Sequence, residues 1–365
     1  MAATPQEPQA HVSTIELFFD LVFVYTVTQL THLVDHAHGA SDFVHAFVVL
    51  VLIWWIYAGY AWLTNGVGAA RKMRLVLIAA ATGFLVMSQA IPGSFGEHTR
   101  AFAFSYLFVI ALHLGAFAWQ GGAGLGRAIA RLAPFNLGAA GLVLAAAFAP
   151  EAWKLALFGA AALIYLVATL ARREVGFSIN ASHFVERHGL VILIVLGESV
   201  VAIATGSSPR GFGSETVAEI ALSFVLLATL WWCYFDRDDE RAEHAMRIAG
   251  PRARGRMAIV GYWYGHLAMI CGVVLVAAGI RQILGDDPAR GAVWLVSCGV
   301  SVYLAGDVLF RTALHLAPLA FRAFGAAAAP AIGLVGIWLG AAVELAALAV
   351  LVAAVLAVER QYNLV

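Results

Sequence analysis

The hydrophobic positions of this chain fall into long runs, separated by short segments that hold most of the charge. A helix needs about 20 apolar residues to cross about 30 Å of hydrocarbon. Runs of that kind predict spans at 15–34, 43–63, 75–91, 102–120, 132–149, 153–171, 188–206, 216–235, 257–279, 291–311, 318–340 and 343–358. Dividing the last Ala-rich stretch into two rests on a break between Gly340 and Val343. Open strands are excluded, because lipid cannot satisfy their edge groups. The expectation is an all-α integral membrane fold of about twelve transmembrane helices.

One stretch of the pattern occurs twice. Leu21-Val22-Phe23-Val24-Tyr25-Thr26-Val27-Thr28-Gln29 is echoed by Leu190-Val191-Ile192-Leu193-Ile194-Val195-Leu196-Gly197-Glu198. Trp54-Trp55-Ile56-Tyr57 returns as Trp231-Trp232-Cys233-Tyr234, and Arg74, Gly83, Leu85 and Met87 fall opposite Arg256, Gly265, Leu267 and Met269. Successive helices repeating in order predict duplication followed by loop growth. The halves would be 15–171 and 188–358, joined by a cytoplasmic connector at 172–187 and preceded by a tail at 1–14. Six helices in each half make the two repeats parallel, with a pseudo-twofold axis along the membrane normal. Such a repeat points to a site between the halves.

Hydrophobic residues make up 62% of the chain and charged residues 12%, about half the charged share of a soluble protein. Of the 22 Lys and Arg, all but Arg100, Lys154, Arg210, Arg281 and Arg290 lie on one side of the twelve-span arrangement. The positive-inside rule then puts both termini in the cytoplasm. The tail before the first span has no Lys or Arg, so no cleaved targeting segment is expected. A net charge of +0 predicts no nucleic-acid partner. Cys233, Cys271 and Cys298 lie inside predicted spans without CxxC spacing, which reads as packing. The segment 236–256, acidic and then basic, reads as a cytoplasmic loop too short for a separate domain.

Candidate chemistry must sit on the few polar residues inside the spans. At 100° per residue, Glu16 and Asp20 share one face of the first helix, while Tyr25, Thr28, Gln29 and His32 form a stripe on roughly the opposite side. The acids also suit a helix N-terminus, and the stripe also suits a hydrogen-bonded seam between helices. Glu198 stands about 16 Å into a span that begins near Arg187, close to the midplane. A carboxylate there costs several kcal/mol unless it is protonated, paired or hydrated. Gln29 and Glu198 are repeat-equivalent, so pseudo-symmetry brings both near the axis, and a structural hydrogen bond between them is the plainer alternative to a proton-exchanging role.

The remaining candidates are weaker. Asp307 has Arg311 four residues on, which reads as a structural salt bridge. His113 and His266 are mid-span histidines, suited to packing or to proton relay. On the outer side His32, Asp35, His36, His38, Asp42 and His45 have the side chains of a transition-metal site but no defined ligand spacing, and a solvated loop is the favoured reading. No phosphate loop, no nucleophile–base set and no zinc-protease spacing occurs, so neither an enzyme nor a cofactor is expected; a membrane metalloenzyme would need the outer histidine cluster to converge on a metal with an open position. Gly336-x-x-x-Gly340 suits packing of the eleventh helix within the chain or against a second copy of it.

Ile15-Glu16-Leu17-Phe18-Phe19-Asp20-Leu21-Val22-Phe23-Val24 resembles the opening signature of the bacterial low temperature requirement A (LtrA) family. Tyr60-Ala61-Trp62-Leu63-Thr64-Asn65 and the stretch from Val185-Glu186-Arg187 through Leu196-Gly197-Glu198-Ser199-Val200-Val201-Ala202 resemble it too. His188 stands where the family pattern would have an aromatic. The resemblance implies a multi-pass protein of the bacterial inner membrane and marks Glu16, Asp20, Glu186, Arg187 and Glu198 as signature positions. It names no substrate and no reaction. The residues themselves point to a proton-coupled secondary transporter of a small solute or ion. In that reading Glu198 couples, Gln29, Tyr25, Thr28 and His266 line the site, and Glu16, Asp20, Glu186 and Arg187 form a cytoplasmic gate. The other class is a non-transporting membrane protein with a sensing, assembly or structural role in low-temperature adaptation.

Overall fold

The computed structural model describes residues 11–67, 71–120, 122–170, 179–207, 213–285 and 290–362. Arg172, Arg173 and Arg210, most of the tail 1–14 and the first half of the connector 172–187 lie outside the described residues.

The first half comprises α1 (Thr14–Asp35), α2 (Ala40–Val67), α3 (Arg71–Gln89), α4 (Thr99–Gln120), α5 (Gly122–Ala146) and α6 (Glu151–Leu170). The second comprises α7 (Ala181–Ser207), α8 (Ser214–Phe235), two short helices α9 (Asp238–Ile248) and α10 (Pro251–Met257), then α11 (His266–Leu284), α12 (Arg290–Ala313), α13 (Ala320–Leu339) and α14 (Ala341–Tyr362). Ala258–Gly265, between α10 and α11, is wound as a wider π-helix. Twelve helices are long and apolar enough to cross a membrane, as the hydrophobic pattern predicts, and no strand occurs among the described residues.

Local chemistry sets the ends. Ser13, in extended conformation, gives its backbone N–H to Glu16 at 2.9 Å, which is one arm of a capping box and starts α1. Asn180 caps α7 by accepting the His183 N–H at 3.2 Å. As a result α7 begins at Ala181, earlier than the hydrophobic run alone suggests. The Ala-rich stretch does divide, at Gly340, whose φ of 93° is open to glycine at little cost. That residue therefore ends a helix, and nothing packs against it. Gly336 is buried, whereas Gly340, one turn on, is exposed.

Within the first half α1 packs on α2 and α3, then α3 on α4, α4 on α5, α5 on α6, and α2 on α6. In the second half α7 packs on α8 and α11, α11 on α12, α12 on α13, α13 on α14, and α8 on α14. The halves meet through α1, which touches α7 and α11, and through α2, which touches the same pair. The windows on α2 and on Pro251–Leu284 are 78% and 72% buried, against 28–56% elsewhere, so these two form the interior. Outward faces carry Leu75, Phe104, Trp119, Phe148, Phe324 and Trp338, all exposed, as a lipid-facing shell requires.

The tightest seam joins α11 to α12 through glycines spaced at heptads. Gly265, Gly272 and Gly279 face Gly306, Gly299 and Val296 respectively. A Cβ on Gly272 would lie 2.5 Å from the Tyr303 backbone nitrogen, and one on Gly306 would lie 2.7 Å from the Gly265 carbonyl oxygen. Small residues let backbones approach in this way where lipid supplies no hydrophobic drive. Gly272→Ala is expected to destabilise the fold by about 1–3 kcal/mol. Gly159→Ala, with open space around it on α6, is expected to be neutral or stabilising by up to about 1 kcal/mol. Thermal unfolding of the two variants in detergent checks the contrast.

Candidate functional site

The contacts of α1 with α7 and α11 are polar at three levels. At the lower level the guanidinium of Arg187, 1% exposed, lies between two acids of α1. Its Nη1 donates to Glu16 Oε1 at 2.6 Å and its Nη2 to Asp20 Oδ1 at 2.9 Å. Thr64 of α2 lies 3.2 Å from Nη1, and the Tyr57 hydroxyl donates to Asp20 Oδ1 at 2.6 Å. Phe19 and Tyr57 present ring faces to the guanidinium at about 6 Å. His183 Nε2 reaches Glu16 Oε1 at 3.1 Å. Glu16 and Asp20 meet Arg187 because i and i+4 stack on one helix face.

Glu186 does not join them. One position back, it points off the helix by about 100°, stays exposed, and accepts the Val12 N–H at 3.1 Å beside the His11 ring.

At the middle level Glu198, 3% exposed, meets Thr28 rather than Gln29. Thr28 Oγ1 is 2.6 Å from Glu198 Oε2 and 3.1 Å from the Val24 carbonyl. One hydroxyl proton cannot serve both. Thr28 donates to Glu198 when that group is a carboxylate, or donates to Val24 and accepts from Glu198 when it is an acid. The same geometry thus suits both protonation states. Gln29 is half-buried and makes no hydrogen bond to Glu198. Tyr25 turns to α3, where its hydroxyl bonds to Gln89. The buried Ser199 hydroxyl, next to Glu198, has no partner.

At the outer level Asp35 receives Arg281 Nε at 3.4 Å, and its carbonyl accepts from Gln282 at 2.7 Å, tying α1 to α11. His32 and His36 stack at 4.2 Å, with His36 Nδ1 donating to the His32 carbonyl at 2.9 Å. The His38 N–H donates to Asp42 at 2.8 Å. These side chains serve the helix end and its loop, and among the described residues no three His, Cys, Asp or Glu side chains converge as metal ligands.

His266 lies away from Glu198. Its ring stacks with Trp54 at 6.5 Å, lies 5.5 Å from the ring of His188, and its Nε2 accepts from Tyr234 at 3.1 Å. His188 precedes Glu198 by ten residues on α7, about 15 Å of helix. The His188 imidazole is buried in an aromatic cage of Trp54, Phe184 and Tyr262. His113 packs against Tyr60 and Phe117 on the far side of α2, and a Cβ on Gly59 would meet its ring at 2.9 Å.

A second charged centre gathers side chains that are far apart in sequence. Asp307 pairs with Arg322 at 2.8 Å, not with Arg311. Arg311 pairs with Asp238 at 2.7 Å and with Glu359, and Arg322 reaches Glu359 at 2.7 Å. All five are buried. Asp238, Arg322 and Glu359 were not legible as partners, since Asp238 falls in the segment 236–256 that reads as a loop, where the structure instead begins α9, and the others fall at span ends. A buried Glu344, held by Ser297, was also missed; an acid four residues past Gly340 was the available signal. Arg187→Ala and Arg322→Ala, which strand buried carboxylates, are each expected to cost about 3–5 kcal/mol. Arg256→Ala, at an exposed site, should cost under ~0.5 kcal/mol. Unfolding midpoints of the three variants in detergent are the check.

The family model described as bacterial low temperature requirement A protein (LtrA) matches residues 11–358. Among curated proteins, an uncharacterized protein of Rhizobium meliloti (strain 1021) is 24% identical over 290 residues, covering 74% of this chain and 69% of the relative.

Proposed function

The chain belongs to the bacterial low temperature requirement A family, and from that premise we propose that this multi-pass membrane protein is a proton-coupled secondary transporter of a small solute or ion. The observation that carries the reading is the Thr28–Glu198 hydrogen bond, which places a membrane-embedded carboxyl at the contact between the halves, on a hydroxyl able to serve either protonation state. Intramembrane acids at such contacts mark ion and proton pathways. The Arg187 tie on one side and the Asp35–Arg281 tie on the other are suited to act as gates.

The parallel-repeat reading has support from packing order. The neighbours of α1 to α6 recur among α7, α8 and α11 to α14, and both fifth helices have an internal proline, Pro134 and Pro330. Between halves the contacts are one-sided, since α1 packs on α11 while α7 makes no comparable contact with α3. The pseudo-twofold axis in this reading is accordingly approximate. Placement of both termini in the cytoplasm of an inner-membrane protein rests on the Lys and Arg bias. Three of the residues counted there, Arg187, Arg311 and Arg322, are held in buried ion pairs, and the bias of the remaining Lys and Arg supports the same orientation.

The burial of Glu198 also suits a non-transporting role in which the acid only joins α1 to α7. Proteoliposomes separate the readings. With a pH-sensitive dye inside and candidate ions or solutes outside, the wild type is expected to move protons with one of them. Glu198→Gln is expected to lose at least about tenfold of that proton movement while keeping its fold, and Thr28→Val to shift its pH dependence. Unchanged proton movement in folded Glu198→Gln removes the coupling role.

A further inference from the structure

Hydrogen-bond logic fixes the charge of the lower network more closely than its distances alone. The amide of Asn65 is oriented by two bonds to one backbone unit: its Nδ2 donates to the Asn180 carbonyl and its Oδ1 accepts the Asn180 N–H, each at 3.0 Å. Turning the amide over would break both. The same Nδ2 faces His183 Nδ1 at 3.2 Å. An amide nitrogen only donates, so His183 Nδ1 must be a bare acceptor and its hydrogen must sit on Nε2, which faces Glu16. Asn65 therefore holds His183 in its neutral form.

With His183 neutral, Glu16 and Asp20 share one cation among the described residues, Arg187. The charged and titratable groups described around Asp20 come from three helices. Glu16 comes from its own helix, Tyr57 from α2, and His183 and Arg187 from α7. From α3, Phe84 packs edge-on against the neighbouring Phe19, and the Arg281 guanidinium of α11 is tied to Asp35 at the opposite end of α1.

The two acids are not equally supported as anions. Glu16 has donors on both oxygens: Arg187 and His183 on Oε1, and the Ser13 N–H and hydroxyl on Oε2. Asp20, wholly buried, has Tyr57 and Arg187 on Oδ1, while its Oδ2 has no partner. A buried neutral hydroxyl without a partner costs far less than an uncompensated buried charge. We infer that Asp20 binds a proton on Oδ2 in this conformation, so that the tie between α1 and α7 is a proton site separate from Glu198. Loss of that proton would leave two carboxylates against one guanidinium and loosen the tie; its return would restore it.

The test uses the full chain in lipid, with aspartate labelled at the carboxyl carbon, by infrared spectroscopy at neutral pH. A label-shifted band of protonated aspartic acid is expected in the wild type. Asp20→Asn should remove one component of it, with an unfolding midpoint near that of the wild type because an amide mimics the neutral acid. A spectrum unchanged in Asp20→Asn overturns the proposal, and so does nitrogen NMR showing His183 as an imidazolium. If Asp20→Asn fails to fold, Tyr57→Phe takes its place: loss of the donor to Oδ1 must shift the Asp20 component, and an unshifted band overturns the proposal. No flux is read in this experiment, so its failure leaves the Glu198 reading standing, and failure of Glu198 to couple flux leaves this one standing.

Discussion

A charge carried into the interior of this fold has to be answered by another side chain, because neither lipid nor packed helix supplies water. That constraint accounts for the long-range organisation better than hydrophobic packing does, since lipid is as apolar as the helices it surrounds. Arg187 joins the start of α7 to two turns of α1 and to α2. Arg311 and Arg322 join α12 and α13 to the start of α9 and the last turn of α14. Each guanidinium offers five donors in a fixed fork, so it fixes the angle as well as the closeness of the helices it holds. Removing one partner strands the others, which makes these ties cooperative.

Spans were legible in the sequence because bilayer thickness sets a length that composition must meet, and Gly340 was legible as a break because few residues adopt its backbone conformation. Partner choice was less so. Asp307 and Arg311 are neighbours along one helix face, yet the Arg322 fork arriving from α13 meets Asp307, while Arg311 turns to Asp238 and Glu359. Glu186 and Arg187 are adjacent in sequence and sit on different faces, so a shared motif does not make a shared site. Glu16, Asp20 and Arg187 do meet, and their spacing of four residues on α1 was the readable part. The role of Asn65 was not readable, because it depends on the backbone of Asn180 arriving from far along the chain.

Depth was the other weak point. The hydrophobic run of α7 begins near Arg187, but an Asn180 cap starts the helix earlier, and Arg187 lies inside the packed structure. His266 and Glu198 both read as mid-span, yet His266 follows a π-helical stretch that changes its angular phase and sets it beside His188. Periodicity assumes one helix geometry throughout, and that assumption fails where the winding changes.

The glycine seam between α11 and α12 makes mechanical stiffness uneven across the molecule. Two backbones in direct contact have almost no shear compliance, because sliding by one residue would drive a side chain into a main chain. Strain applied to the fold would pass through that slab without being absorbed in it. It would collect where long side chains form the joint, and α1, lying across α2, α3, α7 and α11, is the strap on which it would fall.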